Sequence, residues 1–154
     1  MNFRISGLPA AQFAEWFALS DAELATRHAV RRAADSKPGF PCRVSLTDAE
    51  VGEEVLLINY EHLPVDSPYR ASHAIYIRAG EETCDIVDCV PTTLRSRLLS
   101  MRAYDAAGMM TAADVVDGSE LENRIGKLFS DERAQYLHVH FARPGCYAAR
   151  VDRI

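Results

Sequence analysis

The side chains best suited to chemistry in this sequence lie near its C-terminus. His138 and His140 are two residues apart, and Cys146 and Arg150 follow them after a turn around Pro144. Imidazoles transfer protons or bind metals, a thiol can be a nucleophile, and a guanidinium binds carboxylates and phosphates. We therefore take His138, His140 and Cys146 as candidate catalytic residues and Arg150 as a candidate ligand-binding residue.

Alternation of apolar and polar residues predicts that these side chains share one face of a β-hairpin. Side chains point to opposite faces at successive strand positions, so a loop of three residues at Arg143-Pro144-Gly145 aligns the apolar positions of both strands. In this register His138 lies opposite Arg150, and His140 lies opposite Ala148. The apolar face then carries Leu137, Val139, Phe141, Tyr147, Ala149 and Val151. We expect Arg150 to lower the pKa values of His138 and Cys146 on the other face.

Three chemical interpretations of this face remain open. A neutral histidine could act as a general base while Arg150 holds an anion, with Cys146 as a nucleophile if oxyanion donors are available. The His-x-His spacing is also used in metal sites, with His62, His73 or Asp66 as further ligands. Because the positive charge of Arg150 opposes binding of a second cation beside it, no residue is assigned as a metal ligand. The identity of any cofactor is left open. If helices cover the face, its side chains are buried scaffolding and the protein is a non-catalytic interaction module.

A second group of polar and aromatic residues lies in the middle of the chain. Tyr60 and His62 lie at the end of a predicted strand, and Tyr69 lies in a proline-bracketed loop over residues 61–71. Aromatic walls with a few polar groups are typical of small-molecule sites. Arg43 is a further candidate anion ligand, because it projects from the side of Cys42–Leu46 opposite the apolar residues. These four residues complete the predicted ligand-binding set.

The elements that must position these residues indicate an α+β fold. Strand-like segments outnumber helical ones, and capping boxes at Ser20–Glu23 and Ser119–Glu122 predict helix starts. We expect a mainly antiparallel sheet, three or four short helices and a C-terminal β-hairpin. No repeat, linker or low-complexity segment divides residues 1–154, which are predicted to form a single domain.

Composition excludes several classes of function. A net charge of −5 and scattered basic residues argue against a nucleic-acid partner. No apolar run is long enough for a membrane span, and no signal peptide is evident at the N-terminus. We therefore expect a cytoplasmic protein with four reduced cysteines. Substrate, reaction type, oligomeric state and enzymatic activity are not predicted.

Several segments together resemble a family of small, mainly bacterial proteins classified as domain of unknown function 1203. They are Pro41-Cys-Arg-Val-Ser-Leu46, Leu56-Leu-Ile-Asn-Tyr-Glu-His62, Ser67-Pro-Tyr-Arg70, Arg95–Asp105, Tyr136-Leu-His-Val-His140 and Gly145–Arg153. The resemblance extends over essentially the whole chain. The family commonly has asparagine where this sequence has Phe141. Because the resemblance implies no activity, the leading hypothesis remains binding, with or without transformation, of a small anionic molecule in a pocket lined by His, Cys and Arg.

Overall fold

Short strands dominate this protein, because apolar alternation is repeatedly interrupted by turn residues. The structure is a computed structural model that describes residues 2–154. Its strands are β1 (Phe3–Ser6), β2 (Val30–Ala33), β3 (Pro41–Cys42), β4 (Thr47–Asp48), β5 (Glu54–Leu63), β6 (Ala71–Ile77), β7 (Asp85–Val87), β8 (Leu98–Tyr104), β9 (Met110–Asp117), β10 (Tyr136–Phe141) and β11 (Tyr147–Arg153). Its helices are α1 (Asp21–Thr26), α2 (Thr92–Arg95), α3 (Leu121–Leu128) and the 3₁₀ helices Ala10–Ala18 and Gly118–Glu120.

The strands form two sheets. The large sheet has the order β7-β1-β11-β10-β8-β9 and is antiparallel throughout. The small sheet has the order β2-β5-β6-β3-β4 and contains one parallel pair, β3 with β6. The predicted α+β class, the mainly antiparallel pairing and the C-terminal hairpin β10–β11 are confirmed.

Each sheet has its own apolar cluster. Helix α3 covers one face of the large sheet with Leu121, Ile125 and Leu128, the stripe expected for residues that recur at helical spacing. The small sheet packs against the first 3₁₀ helix and α1. Tyr147, from the large sheet, belongs to this second cluster. None of the described helices is both long and apolar enough to cross a membrane.

One of the two predicted capping boxes forms. The Ser20 hydroxyl accepts from the backbone N–H of Glu23, and the Glu23 carboxylate accepts from the N–H of Ser20. The predicted box at Ser119 is wrong, because the Ser119 hydroxyl and N–H both donate to the Asp117 carboxylate. Asp117 therefore caps a 3₁₀ turn, and α3 begins only at Leu121.

Two further segments differ from the prediction. The expected strand Cys42–Leu46 ends at Cys42 and continues as a turn in which Leu46 has φ of 54°. The expected loop over residues 61–71 is shorter, because β5 extends to Leu63 and β6 begins at Ala71. A β-bulge between Glu61 and Leu63 permits this extension and leaves His62 as the extra residue.

Candidate functional site

The hairpin follows the predicted register only from Tyr136 to Val139 of β10. His138 lies opposite Arg150 and Val139 lies opposite Ala149. Leu137, Val139, Phe141 and Val151 are buried in one cluster, as predicted.

A β-bulge after Val139 shifts the pairing register of the remaining part of the hairpin, between His140 and the turn. It pairs His140 with Tyr147 instead of Ala148, and Ala148 becomes the extra residue. The predicted position of Tyr147 among the apolar side chains of the large sheet is therefore wrong, because the bulge turns its ring to the histidine face. Cys146 packs against the apolar cluster of the large sheet.

Four histidines meet between the two sheets. His62 and His73 come from the small sheet, and His138 and His140 come from β10 of the large sheet. The His62 ring lies 4.7 Å from the His73 ring, 5.3 Å from the His138 ring and 5.1 Å from the His140 ring, measured between centroids. The Tyr147 ring stacks on His62 at 4.8 Å. We call His62, His73, His138 and His140 the histidine cluster.

A hydrogen bond to a backbone carbonyl fixes the proton position of His140 in the histidine cluster. His140 Nδ1–H donates to the Gly145 carbonyl oxygen at 3.0 Å, so Nε2 of a neutral His140 carries a lone pair. That Nε2 is buried and has no hydrogen-bond partner among residues 2–154. His62 Nδ1 lies 3.2 Å from His138 Nδ1, and His62 Nε2 lies 2.7 Å from His73 Nδ1. A neutral His62 donates in one of these bonds and accepts in the other.

Burial keeps the cluster neutral. Desolvation is the main cause that lowers the pKa of His62 to about 3, of His138 to about 2 and of His140 to about 3. The positive charge of Arg102 acts in the same direction on all three. The expectation that Arg150 lowers the pKa of His138 is confirmed in direction, but its effect is smaller than those of desolvation and of the neighbouring histidines.

Arg43 is the guanidinium that contacts Cys146. Its Nε donates to the Tyr147 carbonyl oxygen at 2.8 Å, and one terminal nitrogen donates to Cys146 Sγ at 2.9 Å. The other terminal nitrogen donates to the Pro41 carbonyl oxygen. No carboxylate among residues 2–154 pairs with Arg43, although its side chain is only 2% exposed. Burial lowers the pKa of Arg43.

A cleft of about 860 Å³ opens between the two sheets beside Arg43. The small sheet contributes His73 and Tyr76 to its wall, and the hairpin contributes Phe141, Arg143 and Cys146. The guanidinium groups of Arg43 and Arg97 lie 4.9 and 5.1 Å from the centre of the Phe141 ring. The cleft is therefore an arginine-rich space with an aromatic wall.

Comparison with known families supplies one match. The family model described as a protein of unknown function, DUF1203, matches residues 39–153. The chain belongs to the DUF1203 family. All four residues of the histidine cluster, Arg43 and Cys146 lie inside the matched region. Neither the curated proteins nor the solved structures gave a match.

The structure of this DUF1203 member separates the predicted site residues into two groups. His62, His138 and His140 lie in the histidine cluster, whereas Arg43 and Cys146 line the cleft. His73 joins the two groups, because it contacts His62 and also lines the cleft. The sequence predicted His73 only as an alternative metal ligand, because nothing in the pattern of β6 indicates that its ring meets those of the hairpin.

The remaining predicted residues are engaged elsewhere. Arg150 makes a bidentate ion pair with Asp152 and lies over the Tyr136 ring at 4.1 Å. The guanidinium that contacts Cys146 is that of Arg43, whereas Arg150 is engaged with Asp152. The Tyr60 hydroxyl donates to Gln12.

Tyr69 is partly exposed at 37% of its surface, and its ring packs edge-on against Tyr104 at 6.3 Å. Neither Tyr69 nor Tyr60 lines the cleft.

Proposed function

We propose that this protein binds a small anionic molecule, a carboxylate or a phosphate ester, in the cleft between the two sheets. The observation that carries the proposal is the buried Arg43, which borders the cleft and whose three hydrogen-bond partners include no carboxylate. A buried cation without a counter-charge is costly, and an anion in the cleft would offset part of that cost. We retain a cytoplasmic location in the proposal because all four cysteines are free thiols.

The size and charge of the cleft fit this ligand class. Its volume lies within the roughly 300–1,000 Å³ that is usual for small-molecule sites. Arg97 is already paired with Asp48 at 2.6 Å, whereas Arg143 is exposed at the hairpin turn and pairs with no carboxylate of residues 2–154. Asp117 is the carboxylate of the cleft lining, and it is exposed. Arg143 is thus the arginine available for direct contact, and Arg43 supplies a fixed positive field.

The roles of the predicted catalytic residues follow from their positions. The Cys146 thiol borders the cleft, where a bound molecule could reach it. His138 and His140 are 2% and 0% exposed and do not line the cleft. The proposal is therefore for binding, and a catalytic role for these three residues stays a prediction.

Isothermal titration calorimetry with inorganic phosphate and with succinate tests the proposal. We expect one site per chain, with affinity lowered about tenfold or more by Arg143→Ala, since a charge-assisted hydrogen bond contributes about 1.5–3 kcal/mol. Arg32→Ala is the matched control, because Arg32 is an exposed arginine outside the cleft. Absence of binding to either anion, or an equal loss in both variants, would refute an anion site here and favour the interaction-module hypothesis.

A further inference from the structure

The histidine cluster contains four of the five histidines of the chain. The interior between packed sheets is usually filled by apolar side chains. Here polar rings from β5, β6 and β10 converge from both sheets, and each must find a partner for its ring nitrogens. The arrangement of those nitrogens therefore needs a physical explanation.

The nitrogens of three rings lie close to the geometry of a metal site. His62, His138 and His140 each place one ring nitrogen within 4.8 Å of the others. The Nδ1 atoms of His62 and His138 lie 3.2 Å apart. A tetrahedral zinc ion with bonds of about 2.0–2.1 Å holds its nitrogen ligands about 3.4 Å apart.

We infer that His62, His138 and His140 bind one transition-metal dication, with Zn²⁺ as the representative ion. The three donors are imidazole nitrogens, which suit zinc, cobalt, nickel and copper, whereas Mg²⁺ and Ca²⁺ prefer oxygen ligands. Three protein ligands leave a fourth coordination position for water or another small ligand. This inference goes beyond the anion cleft and does not depend on it.

The orphaned nitrogen of His140 points to a ligand independently of the ring distances. His140 is fully buried, its Nδ1–H is held by the Gly145 carbonyl, and its Nε2 lone pair has no partner in residues 2–154. Metal-bound histidines characteristically donate their other N–H to a carbonyl or a similar acceptor, which fixes the tautomer. His73 can serve His62 in the same way, by accepting from Nε2–H and leaving Nδ1 free for the metal. A purely structural cluster would leave His140 Nε2 unsatisfied, at a cost of about 1–3 kcal/mol.

The neighbouring arginines do not prevent metal binding. Arg150, the cation next to His138 in the ladder, is paired with both carboxylate oxygens of Asp152, which offset part of its charge. Arg102 lies opposite His138 on β8 and forms no ion pair with a carboxylate of residues 2–154. Its charge, added to that of the ion, favours an anionic ligand such as hydroxide at the fourth position.

The test is titration of the full chain, freed of purification tag and metal, with Zn²⁺ in calorimetry and with Co²⁺ in visible spectroscopy. We expect one Zn²⁺ per chain, a tetrahedral Co²⁺ spectrum that Zn²⁺ abolishes, and no binding of Mg²⁺. His140→Ala should weaken Zn²⁺ binding by more than about 100-fold, and His73→Ala by about 10–100-fold through loss of the supporting hydrogen bond. His28→Asn is the control, because His28 is exposed outside the cluster and its positive φ suits asparagine.

A second measurement on the wild-type chain does not depend on whether the variants fold. X-ray absorption of the zinc-loaded protein should show imidazole nitrogens and no sulfur ligand. Zinc bound through sulfur, no zinc binding by the wild-type chain, or equal affinity of the wild-type and a folded His140→Ala chain would overturn the inference.

Discussion

Acid should unfold the metal-free protein at a pH where most carboxylates are still ionised, because His138 and His140 are buried as neutral rings. Their ordinary pKa of 6.5 is lowered in the folded protein to about 2 and about 3. Below pH 6.5 these two histidines therefore bind protons in the unfolded chain but not in the folded chain. The stabilisation that the two neutral histidines provide is fully present above pH 6.5. It is lost progressively as the pH falls towards their pKa values in the folded protein.

The size of the effect follows from the two shifts. Each histidine that stays neutral costs about 1.4 kcal/mol of stability for every pH unit below 6.5. Between pH 6.5 and about pH 4.5 the loss is about 2–3 kcal/mol for each residue and about 5 kcal/mol for both. Since small proteins are stable by about 5–15 kcal/mol, this loss is enough to unfold the chain or bring it near unfolding.

Urea denaturation at a series of pH values, with a chelator present, measures this dependence. His138→Phe keeps a planar ring among Tyr104, Tyr136 and Tyr147 but cannot take up a proton. It should flatten the pH dependence by about 1.4 kcal/mol per pH unit, which is one proton. His28→Asn removes a ring that is exposed to water before unfolding as well as after it, and is the control. If the free energy of unfolding of the wild-type chain is constant down to about pH 4.5, or if His138→Phe leaves its slope with pH unchanged, the burial of neutral histidines is not the cause of acid sensitivity.

Three further predictions concern stability and are measured by urea or thermal denaturation. Gly7→Ala should cost more than about 3 kcal/mol, because its Cβ would lie 2.0 Å from the Val44 carbonyl oxygen, whereas Gly126→Ala, in open space on α3, should stabilise the chain by about 0.5–1 kcal/mol; similar values for the two would refute the steric argument. Ser20→Ala should cost about 1 kcal/mol through loss of the capping box, and no change would mean that the cap is replaced by water. Leu137→Ala should cost about 2–5 kcal/mol because Leu137 is fully buried, and a cost under 1 kcal/mol would place it outside a packed core.

Local patterns predicted the elements, and they also predicted half of the hairpin. Alternation specifies which side chains share a face as long as no residue is inserted, so the pairing of His138 with Arg150 follows from the sequence. The bulge at Ala148 depends instead on where Tyr147 can be buried, namely against His62 of the other sheet. A contact between sheets leaves no periodic signal in one strand, and the pairing register between His140 and the turn was therefore predicted wrongly.

The site itself depends on long-range contacts. His62 and His138 are 76 positions apart and meet because the sheets pack face to face. Arg43 gave an ambiguous signal, since an arginine opposite apolar residues is usually exposed. Its burial depends on the carbonyl oxygen of Tyr147, 104 positions away. Residue type identified the candidates for both groups, but only the tertiary structure separates the histidine cluster from the cleft.

The place of β11 in the large sheet has a consequence for the order of folding. This strand is the last of the eleven described strands in sequence order, yet it pairs with β10 on one side and with β1, the first, on the other. During synthesis β1 can pair with β7 once residue 87 has emerged, but its other partner, β11, follows only about sixty residues later, at Tyr147–Arg153. All five strands of the small sheet lie within residues 30–77 and can pair before β11 is made. Pairings of such long range slow folding, and we expect closure of the large sheet to be the late and rate-limiting event.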